Sequence, residues 1–106
     1  MVIYQGSTYK LPIKILIGGK VITDKDVKGV EFAFGEVKKP CVIKTYPEQA
    51  TFDGDKFLCP LTQEDTFLLD PKKTKFQIRV KFNDGSVKPT GAQAVTVVDA
   101  ISNEVL

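Results

Sequence analysis

Residues 75–85 read Lys-Phe-Gln-Ile-Arg-Val-Lys-Phe-Asn-Asp-Gly. Polar and apolar side chains alternate strictly over the first eight positions, which is typical of a β-strand with one buried and one solvated face. The Asp84-Gly85 step accommodates the positive φ angles of a tight hairpin turn. We therefore predict a strand over Lys75–Phe82. Its predicted core residues are Phe76, Ile78, Val80 and Phe82, and its predicted exposed residues are Lys75, Gln77, Arg79 and Lys81.

Further short stretches with alternating or β-branched residues lie on both sides of this strand. They predict strands over residues 9–17, 20–22, 30–34, 41–46, 50–52, 56–59 and 94–101. One segment differs: Thr62 followed by Asp65 three residues later, with helix formers between them, predicts a single helical turn over residues 62–68 that crosses between sheets.

Seven or eight short strands, turn signals about every ten residues and no strand-helix-strand alternation predict an all-β fold. The specific prediction is an immunoglobulin-like antiparallel β-sandwich forming one domain over residues 1–106. A small β-barrel is the alternative, since periodicity does not reveal whether the strands close.

The first predicted strand, residues 9–17, carries a candidate contact surface. Pro12 has no N–H for a ladder hydrogen bond, which predicts an edge strand or a bend from one sheet to another. Leu16 interrupts the polar side, so an exposed Leu16 beside Tyr4 or Tyr9 would form a small apolar patch for a partner. In isolation we expect a monomer or weak homo-oligomer.

Composition excludes several classes of function. The chain has 106 residues, 42% hydrophobic and 26% charged, with a net charge of +2. This charge is too balanced to predict binding to nucleic acid or to an anionic membrane. The N-terminal residues lack the features of a signal peptide, and no apolar run reaches transmembrane length. These patterns predict a soluble chain that is cytoplasmic when it is made.

Catalytic and metal-binding patterns are sparse. The chain has no histidine, which removes the commonest general base and the commonest zinc ligand. The close carboxylate pairs fall in predicted turns or at the helix start, where local hydrogen bonding favours them. They are Asp24 with Asp26, Asp53 with Asp55, and Glu64 with Asp65. We therefore predict no enzyme activity, no catalytic, cofactor-binding or metal-binding residues, and no cofactor.

The two cysteines and the lysine clusters receive structural interpretations. Cys41 and Cys59 lie in apolar segments and are predicted to be buried, reduced thiols. A disulfide between them is possible only if their strands are adjacent. The lysines in residues 38–39 and 72–75 are predicted to form a solvated rim, because the neighbouring Phe76 belongs to the buried row of its strand.

Two stretches together carry a resemblance to a known family. They are Gln-Gly-Ser-Thr-Tyr-Lys-Leu-Pro-Ile at residues 5–13 and Pro-Leu-Thr-Gln-Glu-Asp-Thr-Phe at residues 60–67. The pair resembles tail and baseplate proteins of phages and prophages of Gram-positive bacteria, especially the N-terminal domain of the baseplate upper protein family. In that family a similar segment precedes the first strand, and a leucine, threonine, glutamine, acid turn precedes the penultimate one.

The resemblance implies an immunoglobulin-like sandwich that serves as a non-enzymatic virion component. Its implied partners are other phage tail or baseplate proteins, and its implied locations are the host cytoplasm on synthesis and the virion after assembly. No functional residue carries over, because the shared motifs are structural. The family continues into helical and receptor-binding-protein anchoring regions, whereas this chain stops at Leu106. We therefore expect either a stand-alone small structural protein or an excised domain, and the start at Met1 favours the first.

A carbohydrate-binding or adhesive surface module on the same fold is the alternative function. The absence of tryptophan weighs against it, because sugars usually stack on exposed aromatic rings.

Overall fold

The computed structural model describes residues 1–90 and 93–106. Strands make up 52% of the chain, and the described residues contain one helix of five residues, α1, Gln63–Phe67. The predicted all-β class is therefore confirmed. In chain order the strands are β1 Val2–Tyr4, β2 Tyr9–Ile13, β3 Leu16–Ile17, β4 Lys20–Val21, β5 Val27–Glu36, β6 Lys39–Tyr46, β7 Thr51–Asp53, β8 Lys56–Leu61, β9 Lys75–Phe82, β10 Val87–Pro89, β11 Gln93–Ala94 and β12 Thr96–Val98.

Most of these strands belong to two antiparallel sheets. The larger sheet has the order β10-β9-β5-β6, and β11 also pairs with β9. The smaller sheet has the order β2-β8-β7. Outside them, β3 and β4 form an antiparallel hairpin, while β1 and β12 pair in parallel. The pairing of β1 with β12 brings the two ends of the described chain together.

The two sheets share one hydrophobic core. Phe32 of β5 and Phe57 of β8 lie with ring centroids 6.3 Å apart, and Tyr46 and Phe52 meet the same Phe57 ring edge-on at 5.1 and 4.8 Å. Phe32 and Phe57 are completely buried. Each large side chain buried in this way contributes about 1.5–3 kcal/mol to folding, so this aromatic cluster is a main reason that the sheets stay together.

The predicted strand over Lys75–Phe82 is confirmed as β9. Phe76, Ile78 and Val80 are buried, and Phe82 is partly buried against the core. The predicted exposed side holds for Lys75, Arg79 and Lys81, while Gln77 is half-buried because its amide donates to the carbonyl of Thr90 at 2.7 Å. The predicted hairpin follows, with Gly85 at φ +90° donating its N–H to the carbonyl of Phe82 at 2.9 Å.

The prediction of one continuous strand over residues 9–17 is wrong. The pairing partner changes partway along: Ile13 is the last residue paired with β8, and the carbonyl of Ile15 then accepts the N–H of Ile22 at 2.9 Å. The apolar alternation continues across this change, so it does not reveal the break. Within the described part of the chain β2 pairs with β8 alone, and the predicted edge position of Pro12 is confirmed.

The predicted last strand over residues 94–101 is also wrong. In its place β11 pairs with β9 of the larger sheet, and the chain then crosses to β1, where Thr96 donates its N–H to the carbonyl of Met1 at 3.1 Å. No strand covers residues 99–101. Because two predicted strands divide in this way and further short strands form, the described residues contain more than the seven or eight strands predicted. Gly91, predicted to precede the last strand, lies outside the described residues.

The predicted helical turn and crossover are confirmed. Thr62 is the N-cap of α1: its side chain accepts the N–H of Asp65, and the Asp65 carboxylate accepts the N–H of Thr62 in return, at 3.1 and 2.8 Å. Such a capping box satisfies two backbone donors that the first helical turn otherwise leaves without partners. The helix connects β8 of the smaller sheet to β9 of the larger sheet.

Candidate functional site

The carboxylates considered for acid-base chemistry mostly hold turns and caps. Asp26 accepts the backbone N–H of Thr23 at 2.8 Å and lies 3.3 Å from the Lys20 ammonium; the Thr23 hydrogen bond is the main reason that its pKa is lowered. Asp55 forms an ion pair with Lys14 at 3.4 Å. Asp24, Asp53 and Glu64 are exposed. These contacts stabilise turns.

The best-shielded ion pair joins Lys44 and Asp65. Lys44 follows Val42 on the inner face of β6, and its ammonium lies 2.9 Å from the carboxylate of Asp65 on α1, with each side chain 17% exposed. Burial raises the pKa of Asp65, but the Thr62 N–H and the Lys44 ammonium outweigh it, so the net pKa is lowered. This pair links the larger sheet to the helix and has a structural role.

The cysteine prediction holds for one residue only. Cys59 is buried as predicted, and burial raises the pKa of its thiol to about 12. Cys41 is exposed, contrary to the prediction. Cys41 lies at a β-bulge: between Phe34 and Gly35 the partner strand advances two residues, from Val42 to Pro40, so Cys41 is the extra residue without a partner and the regular alternation of the strand is interrupted there. Both cysteines are free.

The lysine clusters lie where the sequence predicts them. Phe76 is buried, and the lysines in residues 38–39 and 72–75 are exposed.

The apolar patch was predicted to consist of an exposed Leu16 on the first strand beside Tyr4 or Tyr9. Leu16 is 58% exposed, but it belongs to the β3–β4 hairpin, whereas Tyr4 is 54% exposed on β1 and Tyr9 accepts the N–H of Tyr4. The exposed groups therefore lie on separate elements.

A concave surface that the sequence patterns do not predict lies on the outer face of the larger sheet. It is an open apolar hollow of about 390 Å³ over β5, between β6 and β9. Its floor is formed at Ala33 and Gly35, and its side toward β6 is formed by Ile43 and Pro40. Val37, 65% exposed at the tip of the β5–β6 hairpin, completes the apolar lining. We call this site the β5 hollow.

Gly35, which lines the β5 hollow, lies at a β-bulge where the backbone of β6 approaches closely. Gly35 has φ +141°, and a Cβ atom placed there would lie 2.7 Å from the nitrogen of Cys41 and 2.9 Å from the carbonyl oxygen of Lys39. Glycine is therefore required at this position. The outward-facing pattern of small residues in a strand was visible in the sequence, but it indicates a hollow only when the neighbouring strands are known.

An ion pair bounds the β5 hollow on one side. Glu31 and Arg79 lie directly opposite each other on β5 and β9, and two Arg79 nitrogens contact the two Glu31 oxygens at 2.8 and 2.9 Å. This contact raises the pKa of the Arg79 guanidinium. Beyond the pair a second depression of about 260 Å³ continues along the sheet, lined in part by Gly29 and Val87.

The sheet edges offer less to a partner than the faces do. On the outer edge of β6, Thr45 donates its N–H to the side chain of Gln49 at 2.7 Å, and its carbonyl accepts the N–H groups of Gln49 and Ala50 at 2.8 and 3.0 Å. Pro12 interrupts the edge strand β2, and Pro89 lies in the edge strand β10. Such devices prevent strand-to-strand addition, so the exposed sheet faces are the better contact surfaces.

The two stretches that carry the family resemblance pack against each other. The N–H of Gly6 donates to the Thr66 hydroxyl at 2.9 Å, and that hydroxyl lies 3.0 Å from the carbonyl oxygen of Ser7. The Gln5 amide donates to the carbonyl of Leu69 at 2.9 Å. In addition, β2 from the first stretch pairs with β8, which ends in the second. We call this set of contacts the Thr66 junction.

Residues 1–90 and 93–106 contain no group of three or more Cys, Asp and Glu side chains arranged to hold a metal ion. The single helix of the described part is too short to cross a bilayer.

Comparison with known proteins finds no matching family model, no similar curated protein and no similar solved structure.

Proposed function

We propose that this protein is a non-enzymatic component of a phage or prophage tail or baseplate that acts through protein-protein contacts. In this proposal the two antiparallel sheets form an immunoglobulin-like sandwich. The protein is made in the host cytoplasm and is incorporated into the virion with other tail or baseplate proteins.

The observation that carries the proposal is the Thr66 junction. The resemblance to the baseplate upper protein family depends on two separated stretches, and short motifs that coincide by chance have no reason to be in contact. Here the buried Thr66 side chain joins them through hydrogen bonds to Gly6 and Ser7. The pair of motifs is thus one structural unit, which supports a shared architecture as the basis of the resemblance.

The surface chemistry supports a role in contacts with other proteins. Three of the carboxylates considered for catalysis, Asp26, Asp55 and Asp65, form ion pairs with lysines. The outer face of the larger sheet, by contrast, presents the apolar β5 hollow. The protected edges of β2 and β6 disfavour self-association by strand addition. We therefore expect a monomer or weak homo-oligomer in isolation, to be checked by sedimentation equilibrium at micromolar concentration.

A carbohydrate-binding or adhesive module has less support. The aromatic rings near the β5 hollow, those of Phe34 and Phe76, face the core. Tyr4 is the one aromatic residue in the described chain that is largely exposed, and it lies on β1, away from the larger sheet.

Virion incorporation tests the proposed function. The chain is tagged at its own locus, phage particles are produced by induction, purified on a density gradient and analysed by quantitative mass spectrometry. We expect the protein to co-purify with the tail proteins at a fixed ratio. Complete absence from intact particles, with the protein present in the lysate, would refute the proposal.

A further inference from the structure

The β5 hollow has the size and lining of a pocket for one large side chain of a partner. Its volume of about 390 Å³ falls within the range of about 300–1,000 Å³ typical of binding pockets. Ile43, Val37 and Pro40 are exposed there, although side chains of this kind are usually buried in the core of a domain or interface. Interfaces commonly depend on an aromatic or aliphatic anchor in such a pocket.

The charges around the β5 hollow are not balanced. Glu31 is neutralised by Arg79, and Glu36 lies 3.7 Å from the Lys73 ammonium. Lys38 and Lys75 also line the hollow, and among the described residues neither has a carboxylate within ion-pair distance. The two lysines thus leave a local excess of positive charge at the rim of an apolar surface. A complementary partner therefore carries negative charge beside its apolar anchor.

We propose that the β5 hollow binds a partner protein segment in which a large apolar side chain is flanked by acidic residues. The apolar side chain occupies the space above Ala33 and Gly35, and the flanking carboxylates approach Lys38 and Lys75. The inference rests on the proposed function, since it identifies the surface through which a tail or baseplate contact is made.

Peptide titration monitored by NMR tests this inference. The probes are three short peptides: a phenylalanine flanked by glutamates, the same phenylalanine flanked by lysines, and the glutamate peptide with alanine in place of phenylalanine. We expect the acidic phenylalanine peptide to shift the amide signals of Ala33, Gly35 and Ile43, and the other two to have little effect. Raising the salt concentration should weaken the binding, because the lysines are exposed.

Three variants of the protein complete the design. Reversing the charge at both rim lysines, Lys38→Glu with Lys75→Glu, should weaken binding of the acidic peptide by about tenfold, because two favourable exposed charge contacts become repulsive. Ala33→Leu fills the hollow and should reduce binding further. Lys10→Glu, an exposed lysine on β2 of the smaller sheet, is the matched control and should leave binding unchanged. Circular dichroism verifies that each variant is folded.

Several results would overturn the inference: no shifts at millimolar peptide, equal binding of the basic peptide, or shifts confined to another surface such as β1 and β12. The outcome is separable from that of the proposed function. If tagged protein is present in virions while the peptides fail to bind at the hollow, only the inference is wrong. Absence from virions refutes the proposed function itself.

Discussion

Replacing Thr66 with valine tests whether the Thr66 junction contributes to folding. Valine has nearly the shape of threonine but lacks the hydroxyl, and Thr66 is completely buried. In the variant the N–H of Gly6 loses its acceptor at 2.9 Å, and the carbonyls of Ser7 and Gln63 lose the donor that lies 3.0 and 3.1 Å away. The segments 5–13 and 60–67 would then remain in contact without the hydrogen bonds that join them.

The magnitude follows from these losses. A buried donor left without a partner costs about 1–3 kcal/mol, and the lost hydroxyl donation about 0.5–1.5 kcal/mol. We expect Thr66→Val to lower the free energy of unfolding by about 2–4 kcal/mol, out of the roughly 5–15 kcal/mol usual for a domain. With a urea dependence near 2 kcal/mol per M, the unfolding midpoint should fall by about 1–2 M.

The assay is equilibrium urea unfolding followed by circular dichroism, with Thr66→Ser as the matched control. Serine keeps the hydroxyl and loses one buried methyl group, so its cost should stay near 1 kcal/mol. A loss below about 1 kcal/mol for Thr66→Val would refute the reasoning. So would an equal loss for both variants, because the methyl group and not the hydroxyl would then be what matters.

Three further predictions concern other parts of the molecule. Gly35→Ala should destabilise the protein by about 2–4 kcal/mol, because the added Cβ meets backbone atoms and the residue has a positive φ. The control Gly54→Ala, at φ +67° in open space, should cost only about 1 kcal/mol in the same unfolding assay. Equal costs for the two variants would contradict the steric argument. Folding lowers the pKa of Asp65, so the ionised carboxylate contributes to the free energy of unfolding above the ordinary Asp pKa, and this contribution is lost as the pH falls through the folded pKa. The stability difference between wild type and Asp65→Asn should therefore shrink from about pH 5 to about pH 2. A difference that stays constant over this range would contradict the prediction. A thiol-reactive dye should label Cys41 in the folded protein and Cys59 only after unfolding, as peptide mapping by mass spectrometry would show; rapid labelling of Cys59 under native conditions would be inconsistent with its burial.

Local sequence patterns were sufficient where one short segment contains the whole physical cause. The alternation in Lys75–Phe82 places Phe76, Ile78 and Val80 in the core because the side-chain period of a strand is two. The helix start at Thr62 is equally local, since its capping box involves residues three apart. Predictions failed where the cause was a distant partner. Nothing in the alternation of residues 9–17 reports that pairing passes from β8 to β4 after Ile13.

The β5 hollow could not be predicted for the same reason. Its small floor residues come from β5, its apolar wall from β6 and one of its two lysines, Lys75, from β9. Only the register of the three strands brings these residues together. The position of Cys41 in a bulge of the β5–β6 pairing likewise depends on the register of two strands.

The sequence alone thus determined the all-β class, the inward-facing rows of the central strands and the helical turn, because backbone periodicity and capping act over a few residues. The tertiary structure alone decided which strands are neighbours, where the chain changes sheets, and that residues 5–13 and 60–67 meet at the Thr66 hydroxyl. These features depend on hydrogen bonds and packing between residues far apart in the chain, where many pairings satisfy the same local pattern and only the shared core selects one.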